Sequence, residues 1–299
     1  MSRGSATRTR AFVGLRSVRR LLSPDHRRWK RFTETLTLDP ELLARPVEPP
    51  GPNDFLICGS PRTGTSLLCA ALFQPPRCMT VMEPWDGMRL APAELFRSIR
   101  KEIAETGQLL RGKLDVTTLS RDGGVRWWTE GATAVPIRCP DECLVGIKWP
   151  AFWRYLELLP TTKFVVCLRH PFEVIASYRR AGGSLVEGFD YDIPFNRTMN
   201  ANLRAGSGSA AIRRIRLYDY INARVLLYLE RPNVLAVRYE RWFSEPHTVL
   251  EELGDFLGSD LRESRAQIRP PRRDVRLPEE EIQLIRRYCT MAERLGYAL

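Results

Sequence analysis

The chain has 299 residues, of which 43% are hydrophobic, and a formal net charge of +11. This length suffices for one large core, so we expect a single folded domain. No run of about 18 uninterrupted apolar residues occurs and the N-terminus lacks the apolar stretch of a secretory signal, so neither a membrane span nor export is indicated. The sequence therefore predicts a cytoplasmic protein.

The positive charge lies mostly at the N-terminus. Basic residues crowd the first 32 positions, where Asp25 is the only acid, and the rest of the chain is close to neutral. A nucleic-acid partner is therefore not expected. Apolar residues such as Phe12, Leu15 and Leu22 could form a short amphipathic helix that contacts an anionic membrane peripherally. A partly ordered solubilising leader is the other interpretation of residues 1–32.

We call residues 1–32 the basic arm. A proline-rich segment, ARPVEPPGPN (44–53), lies further along the chain and cannot continue a helix, so it is a linker. We therefore divide the chain into an arm and linker (1–53) and a folded domain (54–299).

The cysteines are expected to be reduced. Cys58, Cys69 and Cys167 sit inside apolar runs and should be buried thiols. Cys139 and Cys143 form C-x-x-x-C without a second Cys/His pair nearby, so we assign no metal site.

From residue 54 onward, short apolar segments alternate with helical patterns. The alternation predicts a parallel sheet covered on both faces, an α/β three-layer sandwich like that of P-loop NTPases, which binds ligands beyond the carboxyl ends of its strands. The loop AGGSLVEGFDYDIPFNRTMNANLRAGSGS (181–209) is long enough for a lid or a disordered segment. Strands are predicted at 54–58, 144–148, 163–168 and 234–239, and helices near 65–73, 92–110, 150–159, 171–180, 209–230, 245–257 and 278–296.

The first strand leads into a glycine-containing turn in FLICGSPRTGTSLLCAAL (55–72). From Gly59 to Ser66 the turn matches the phosphate-loop pattern G-x-x-x-x-G-K-[ST], except that Thr65 replaces the lysine and Arg62 stands inside the loop. Free N–H groups and the dipole at the start of the next helix would create an anion site, to which Thr63, Thr65 and Ser66 add donors.

A second cationic motif follows the strand KFVVCL. Arg169 occupies the place where an NTPase would carry a magnesium-organising acid, and Ser177 lies eight residues further on in RHPFEVIAS. A magnesium-dependent nucleotide site is therefore disfavoured.

These two motifs together resemble the nucleotide-binding signatures of sulfotransferases that use 3′-phosphoadenosine 5′-phosphosulfate (PAPS). The resemblance implies that PAPS is the cofactor, that the first motif, including Arg62 and Gly64, holds the 5′-phosphosulfate, and that Arg169 and Ser177 hold the 3′-phosphate. The segment VLAVRYERWFSEPHTVLEELGDFLG (234–258) is similar to a late strand and turn of the family, which implies a donor contact for Tyr239.

The spacing resembles bacterial carbohydrate or lipid sulfotransferases and the tyrosylprotein group more than the cytosolic steroid and phenol enzymes. The C-terminal R-K-G-x-x-G-x-W-K signature of that cytosolic branch is absent, and RPPRRDVR (269–276) is only a basic substitute.

Sulfuryl transfer to a hydroxyl requires a base. None of the three histidines falls between the loop and Arg169, so a carboxylate is favoured. Glu83, in MTVMEPWDG, resembles the catalytic glutamate of the tyrosylprotein and several bacterial enzymes. Asp86 is the second candidate, and a helix-capping role is the alternative for Glu83.

Two cations are expected to stabilise charge on the phosphate leaving group. Arg62 is one of them. Lys148, which ends the strand LVGIK, resembles the family lysine that contacts the sulfuryl group. A lysine that merely extends to solvent from a strand end is the alternative for Lys148.

The acceptor stays open at the level of the sequence. A glycan or glycolipid hydroxyl is the first choice, an apolar natural product the second and a protein tyrosine the third. A small-molecule P-loop kinase and a catalytically inactive nucleotide-fold binding module are the competing functions. The aromatic residues that could contact an acceptor, or fill the core instead, are Trp85, Trp127, Trp128, Trp149, Phe152 and Trp153.

Overall fold

The computed structural model describes residues 47–84, 87, 90–107, 109, 114–119, 125–127, 142–191, 196–206, 208–261 and 277–299. The basic residues 1–32, for which membrane contact and a solubilising leader are the two interpretations, lie outside the described residues, as do the candidate base Asp86 and the basic stretch 269–276. Among the described helices, none is both long and apolar enough to cross a membrane.

A five-stranded parallel sheet organises the domain, in the order β2-β5-β1-β6-β7. Two further strands, β3 and β4, form a separate antiparallel pair. The strands are β1 (Asp54–Gly59), β2 (Cys78–Met82), β3 (Leu114–Leu119), β4 (Val125–Trp127), β5 (Leu144–Lys148), β6 (Lys163–Leu168) and β7 (Val234–Arg238).

Helices cover the sheet. Short 3-10 helices span Pro150–Leu156 and Gly183–Leu185, the first replacing the helix predicted at 150–159. The α-helices are α1 (Thr65–Ala71), α2 (Pro92–Thr106), α3 (Pro171–Arg180), α4 (Arg197–Ala205), α5 (Ala210–Leu226), α6 (Arg241–Ser244), α7 (Pro246–Leu257), α8 (Glu279–Tyr288) and α9 (Met291–Arg294).

The central strand β1 divides the core into two layers. Phe55 and Ile57 pack toward α1, α6 and α7, whereas Leu56 and Cys58 pack toward the layer that contains α2, α3 and α5. Successive side chains of a strand point to opposite faces, so a fully apolar strand requires cover on both sides. The predicted three-layer α/β sandwich is confirmed, and Cys58, Cys69 and Cys167 are buried within it.

The long loop predicted at 181–209 is wrong in part, because it contains α4. Met199 and Leu203, four residues apart, are buried in the core, and this packing stabilises a helix that the surrounding polar residues conceal in the sequence.

The edge strand β2 was not predicted as a strand. Its five residues are all buried and pair with β5, but CMTVM is too short an apolar run to be distinguished from a buried helical segment without its partner.

The closing helix predicted at 278–296 ends at Tyr288 and restarts at Met291. The backbone N–H groups of Thr290 and Met291 donate to the buried carboxylate of Asp219, at 2.7 and 3.0 Å, instead of continuing the helix.

Candidate active site

All five parallel strands end at one edge of the sheet, and each leads into a residue predicted for the site. The donor loop follows β1, Glu83 follows β2, Lys148 ends β5, Arg169 follows β6 and Tyr239 follows β7. Parallel pairing thus collects side chains that are up to 180 residues apart in the sequence.

The shape of the donor loop, residues 60–64, depends on the glycines that flank it. Gly59 has φ +148°, and a Cβ there would lie 2.6 Å from the carbonyl oxygen of Cys167. Gly64 has φ +100°, and its Cβ would lie 2.3 Å from the ring of Tyr239. Any side chain at either position would force the loop away from β6 or Tyr239, because real Cβ contacts are never so short.

The loop leaves the start of α1 open. Gly64 is the N-cap and has no side chain with which to cap the first N–H groups of the helix. Thr65 and Ser66 start the helix as predicted. The hydroxyl of Thr63 donates to the carbonyl oxygen of Ser60 at 2.7 Å, so in this structure Thr63 shapes the loop.

Helix α3 fixes the loop from the other side. Nε of Arg62 donates to Oγ of Ser177 at 2.9 Å, and the hydroxyls of Ser60 and Tyr178 lie 2.6 Å apart. Arg62 has φ +69°, an uncommon conformation for a non-glycine residue. The two predicted phosphate motifs are therefore in direct contact, through the hydrogen bond from Arg62 to Ser177.

The guanidinium of Arg169 stacks on the ring of Tyr239, 3.9 Å from the ring centroid. Its terminal nitrogens donate to the carbonyl oxygen of Arg62 at 3.2 Å and to Glu173 at 3.0 Å. Its Nε is buried without a hydrogen-bond partner in the described structure. Burying a charged donor unpaired is costly, so this nitrogen marks a place where a ligand anion would be favourable.

Glu83 and Lys148 form an ion pair on neighbouring strands. The Lys148 ammonium donates to the Glu83 carboxylate, and only 3% of the lysine side chain and 14% of the glutamate side chain are exposed. The backbone N–H of Glu83 also donates to the carbonyl oxygen of Lys148 at 2.8 Å. Neither predicted alternative, a helix cap for Glu83 or a solvent-extended Lys148, matches this buried pairing.

Glu83 has φ +45°, which is strained for a residue with a side chain. Beside it, the indole N–H of Trp149 donates to the carbonyl oxygen of Pro84 at 3.2 Å, so the residue after Lys148 holds the turn after Glu83. The surroundings thus determine the orientation of the carboxylate, as expected of a functional position.

The aromatic residues proposed for acceptor contact are either buried in the core or outside the part of the chain whose side chains the structure describes. Trp149, Phe152 and Trp153 are at most 6% exposed and belong to the core. Trp85 and Trp128 lie outside the described residues, and Trp127 is described only by its place in β4.

One exposed ring, which the sequence analysis did not single out, lies within the electrostatic influence of Glu83 and Arg62. Tyr191 is 43% exposed. The charges of Glu83 and Arg62 act on its phenol in opposite directions, and burial is the main cause of its raised pKa. Next to it, Asp190 is 2% exposed, and burial raises the pKa of its carboxyl to about 6 against the lowering effect of Arg154.

The structure therefore brings together the predicted residues Arg62, Lys148, Glu83, Arg169 and Tyr239, with Thr63, Gly64, Thr65, Ser66 and Ser177 in the connecting loop and helices. Sequence reasoning missed Ser60, Tyr178, Asp190 and Tyr191. One sequence pattern could have pointed to Asp190 and Tyr191: the segment FDYD (189–192), in the loop predicted at 181–209, places an aromatic residue between two acids.

Comparison with known protein families assigns this chain to one of them. A family model described as "Sulfotransferase family" matches residues 54–263, and the chain belongs to this family. A curated relative, the nodulation protein NoeE of Sinorhizobium fredii (strain NBRC 101917 / NGR234), is 25% identical over 231 residues, which cover 73% of this chain. The chain spans about half of that relative, 52% of its length.

Solved structures with a similar fold include a sulfotransferase from Alicyclobacillus acidocaldarius, at 19% identity and a TM-score of 0.42, with 85% of this chain and 98% of that one covered. Sulfotransferase STF9 from Mycobacterium avium aligns at 14% identity and a TM-score of 0.45, with 90% and 81% covered.

Proposed function

We propose that this chain transfers the sulfuryl group of PAPS to a hydroxyl of a glycan, glycolipid or other small-molecule acceptor, with Glu83 as the general base. The observation that carries the proposal is the placement of two anion-binding motifs and a buried carboxylate–ammonium pair at one edge of the sheet. The two anion-binding motifs suit a donor that carries phosphates on the 3′ and 5′ positions of its ribose. The carboxylate–ammonium pair suits deprotonation of an alcohol.

The donor site is supported by chemistry that fits a 3′-phosphate. Arg169 is fixed by Tyr239, Glu173 and the carbonyl oxygen of Arg62, yet its buried Nε has no partner among the described residues. A planar guanidinium binds phosphate through two parallel hydrogen bonds, which a lysine cannot do. The uncapped start of α1, with Thr65 and Ser66, would receive the 5′-phosphosulfate.

The catalytic roles follow from the ion pair. PAPS, once bound, supplies an activated sulfuryl group on a phosphate leaving group. Glu83 would take the proton of the attacking hydroxyl. Lys148, within hydrogen-bonding contact of Glu83, and Arg62 would stabilise negative charge as it accumulates on the leaving phosphate.

A P-loop kinase is the nearest competitor, since the loop has the phosphate-loop spacing. It is disfavoured because Thr65 replaces the nucleotide-binding lysine and Arg169 follows the strand where a magnesium-binding acid is needed. An inactive binding module would not require Glu83 to be held in a strained conformation against Lys148.

The test is a thermal-shift comparison of 3′,5′-adenosine bisphosphate (PAP) with ADP plus magnesium. A ligand at 100 times its dissociation constant stabilises by about 2.7 kcal/mol, which is easily measured. We expect a large shift with PAP and no metal, and a small one with ADP and magnesium. The reverse order would favour the kinase, whereas PAP binding without PAPS turnover against any hydroxyl compound would favour the binding module.

A further inference from the structure

The segment Phe189–Tyr191 is held rigidly, although it lies in a connection between helices. The ring of Phe189 lies under two guanidinium groups, those of Arg204 at 4.9 Å and Arg213 at 5.0 Å. Asp190 is anchored to α4 by a reciprocal pair of bonds, its N–H donating to Oδ1 of Asn200 at 3.0 Å and its carbonyl oxygen accepting from Nδ2 at 3.1 Å.

The same framework fixes the backbone of Tyr191 on both sides. Its N–H donates to the Asp190 carboxylate at 2.8 Å, and its carbonyl oxygen accepts from the Asn196 amide at 2.8 Å. Asp190, Asn196 and Asn200 are each at most 4% exposed. Burying polar side chains is unfavourable unless they are hydrogen-bonded, so an ordinary surface connection would not need this arrangement.

The framework presents the aromatic ring of Tyr191 to solvent. Among the described residues, Tyr191 and Leu227 are the only large hydrophobic side chains classed as exposed. Leu227 follows α5, whereas the phenol of Tyr191 feels the charges of both Glu83 and Arg62. An exposed ring on a fixed backbone, on whose phenol a carboxylate and a guanidinium act, suits ligand binding better than core packing.

We propose that Tyr191 forms the wall of the acceptor site and that the acceptor packs the apolar face of a sugar ring against it; this rests on the proposed function. A pyranose has a C–H face that suits an aromatic ring and hydroxyls around its edge that suit Glu83 and Arg62. A carbohydrate hydroxyl is therefore favoured over an apolar natural product.

The test uses the full chain, PAPS and a panel of acceptors: the methyl glycosides of glucose, galactose, mannose, fucose and N-acetylglucosamine, octyl β-D-glucoside, and p-nitrophenol. Steady-state rates are measured by PAP formation for the unmutated protein, Tyr191→Ala, Tyr191→Phe and the exposed control Leu227→Ala. Dissociation constants for PAP are measured for all four proteins.

We expect at least one glycoside to be sulfated. Tyr191→Ala should raise its KM by about 2- to 10-fold, the scale of one lost ring contact, with little change in kcat or PAP affinity. Tyr191→Phe should keep the KM, since the ring makes the contact, and Leu227→Ala should behave like the unmutated protein. A purely structural role would instead lower kcat and PAP affinity together.

An unchanged KM in Tyr191→Ala would overturn the assignment of Tyr191, and a collapse of kcat in Tyr191→Phe would give its hydroxyl a chemical role instead. Turnover of p-nitrophenol alone, or of no glycoside by a protein that binds PAP, would overturn the carbohydrate class. If the unmutated protein fails to bind PAP, the proposed function itself fails.

Discussion

Glu83 combines a strained backbone with a buried charged partner, and it is the residue on which the proposed chemistry depends. Its carboxylate is held by Lys148 and its N–H by the Lys148 carbonyl oxygen, so its position is determined by β5 rather than by its own loop. This arrangement orients the carboxylate, and in the proposed mechanism it lets Glu83 take the proton in place of a histidine.

Glu83→Gln keeps the size and hydrogen bonding of the side chain but cannot accept the proton. We expect turnover of any sulfated hydroxyl compound to fall by about 100- to 10,000-fold, the ordinary contribution of a general base. PAP affinity should hardly change, because the role proposed for the carboxylate is to contact the acceptor hydroxyl rather than PAP. The exposed control Glu230→Gln should be unaffected. Near-normal turnover would move the role to Asp86 or to solvent, and loss of PAP binding would make Glu83 structural.

Arg169 makes a different prediction because its predicted partner is the 3′-phosphate. Arg169→Ala should weaken PAP binding by about 1.5–3 kcal/mol, the scale of a lost hydrogen bond to a charged group, and should affect 5′-AMP much less. Arg169→Lys should also lose most of this affinity, since it keeps the charge without the planar pair of donors.

Calorimetric titration with PAP and 5′-AMP measures both effects. Arg97→Ala is the matched control, because Arg97 makes an exposed ion pair with Glu48 away from the site. Equal affinity of the unmutated protein for 5′-AMP and PAP would contradict the role of Arg169 and Ser177.

At the scale of elements, the segment between α3 and α4 depends on a buried carboxylate. Burial raises the pKa of Asp190 to about 6, against the lowering effects of Arg154 and of its hydrogen bonds and with a small raising effect of Glu83. Because the folded state binds this proton more tightly than the unfolded chain, the stability contribution is fully present below about pH 4. It is lost as the pH rises to about 6.

Asp190→Asn keeps an oxygen that can accept from the Tyr191 N–H and never ionises. Its free energy of unfolding, relative to the unmutated protein, should therefore increase by about 2 to 3 kcal/mol between about pH 4 and pH 7 and stay constant above. Urea unfolding at several pH values measures this difference. The exposed control Asp255→Asn should show no such rise. If the difference in unfolding free energy between Asp190→Asn and the unmutated protein does not change with pH, the pKa of Asp190 is not raised by folding.

At the scale of the whole molecule, the basic arm is expected to be separable from the domain. The family match begins at residue 54, Val47 packs against the core and Glu48 pairs with Arg97, so a cut well before residue 47 leaves these contacts intact. The membrane-contact interpretation of the arm stays a prediction.

Deleting residues 1–32 should leave the PAP-induced thermal shift unchanged, since no predicted donor contact lies in the arm. Co-sedimentation with vesicles of phosphatidylglycerol and phosphatidylcholine tests the arm separately. Weaker sedimentation of the truncated protein would support peripheral membrane contact, and equal sedimentation would favour the solubilising leader. Loss of PAP binding would mean that the arm is part of the donor site.

The sequence by itself determined the layered α/β fold and the donor motifs. Apolar strands such as DFLICG and KFVVCL need cover on both faces, and the spacing from Gly59 to Ser66 and from Arg169 to Ser177 is local information that survives without a partner. Helix α3 was placed at its observed bounds, 171–180, because Pro171 starts it and its amphipathic pattern is regular.

Tertiary structure decided what depends on contacts between distant segments. The pairing of β2 with β5 makes Glu83 the partner of Lys148, and α3 brings Ser177 to Arg62. The buried amides of α4 order the loop that presents Tyr191. Such contacts join residues that have no fixed spacing in the chain. Their energies depend on burial and on hydrogen bonds between distant segments, so they cannot be predicted from a short stretch of sequence.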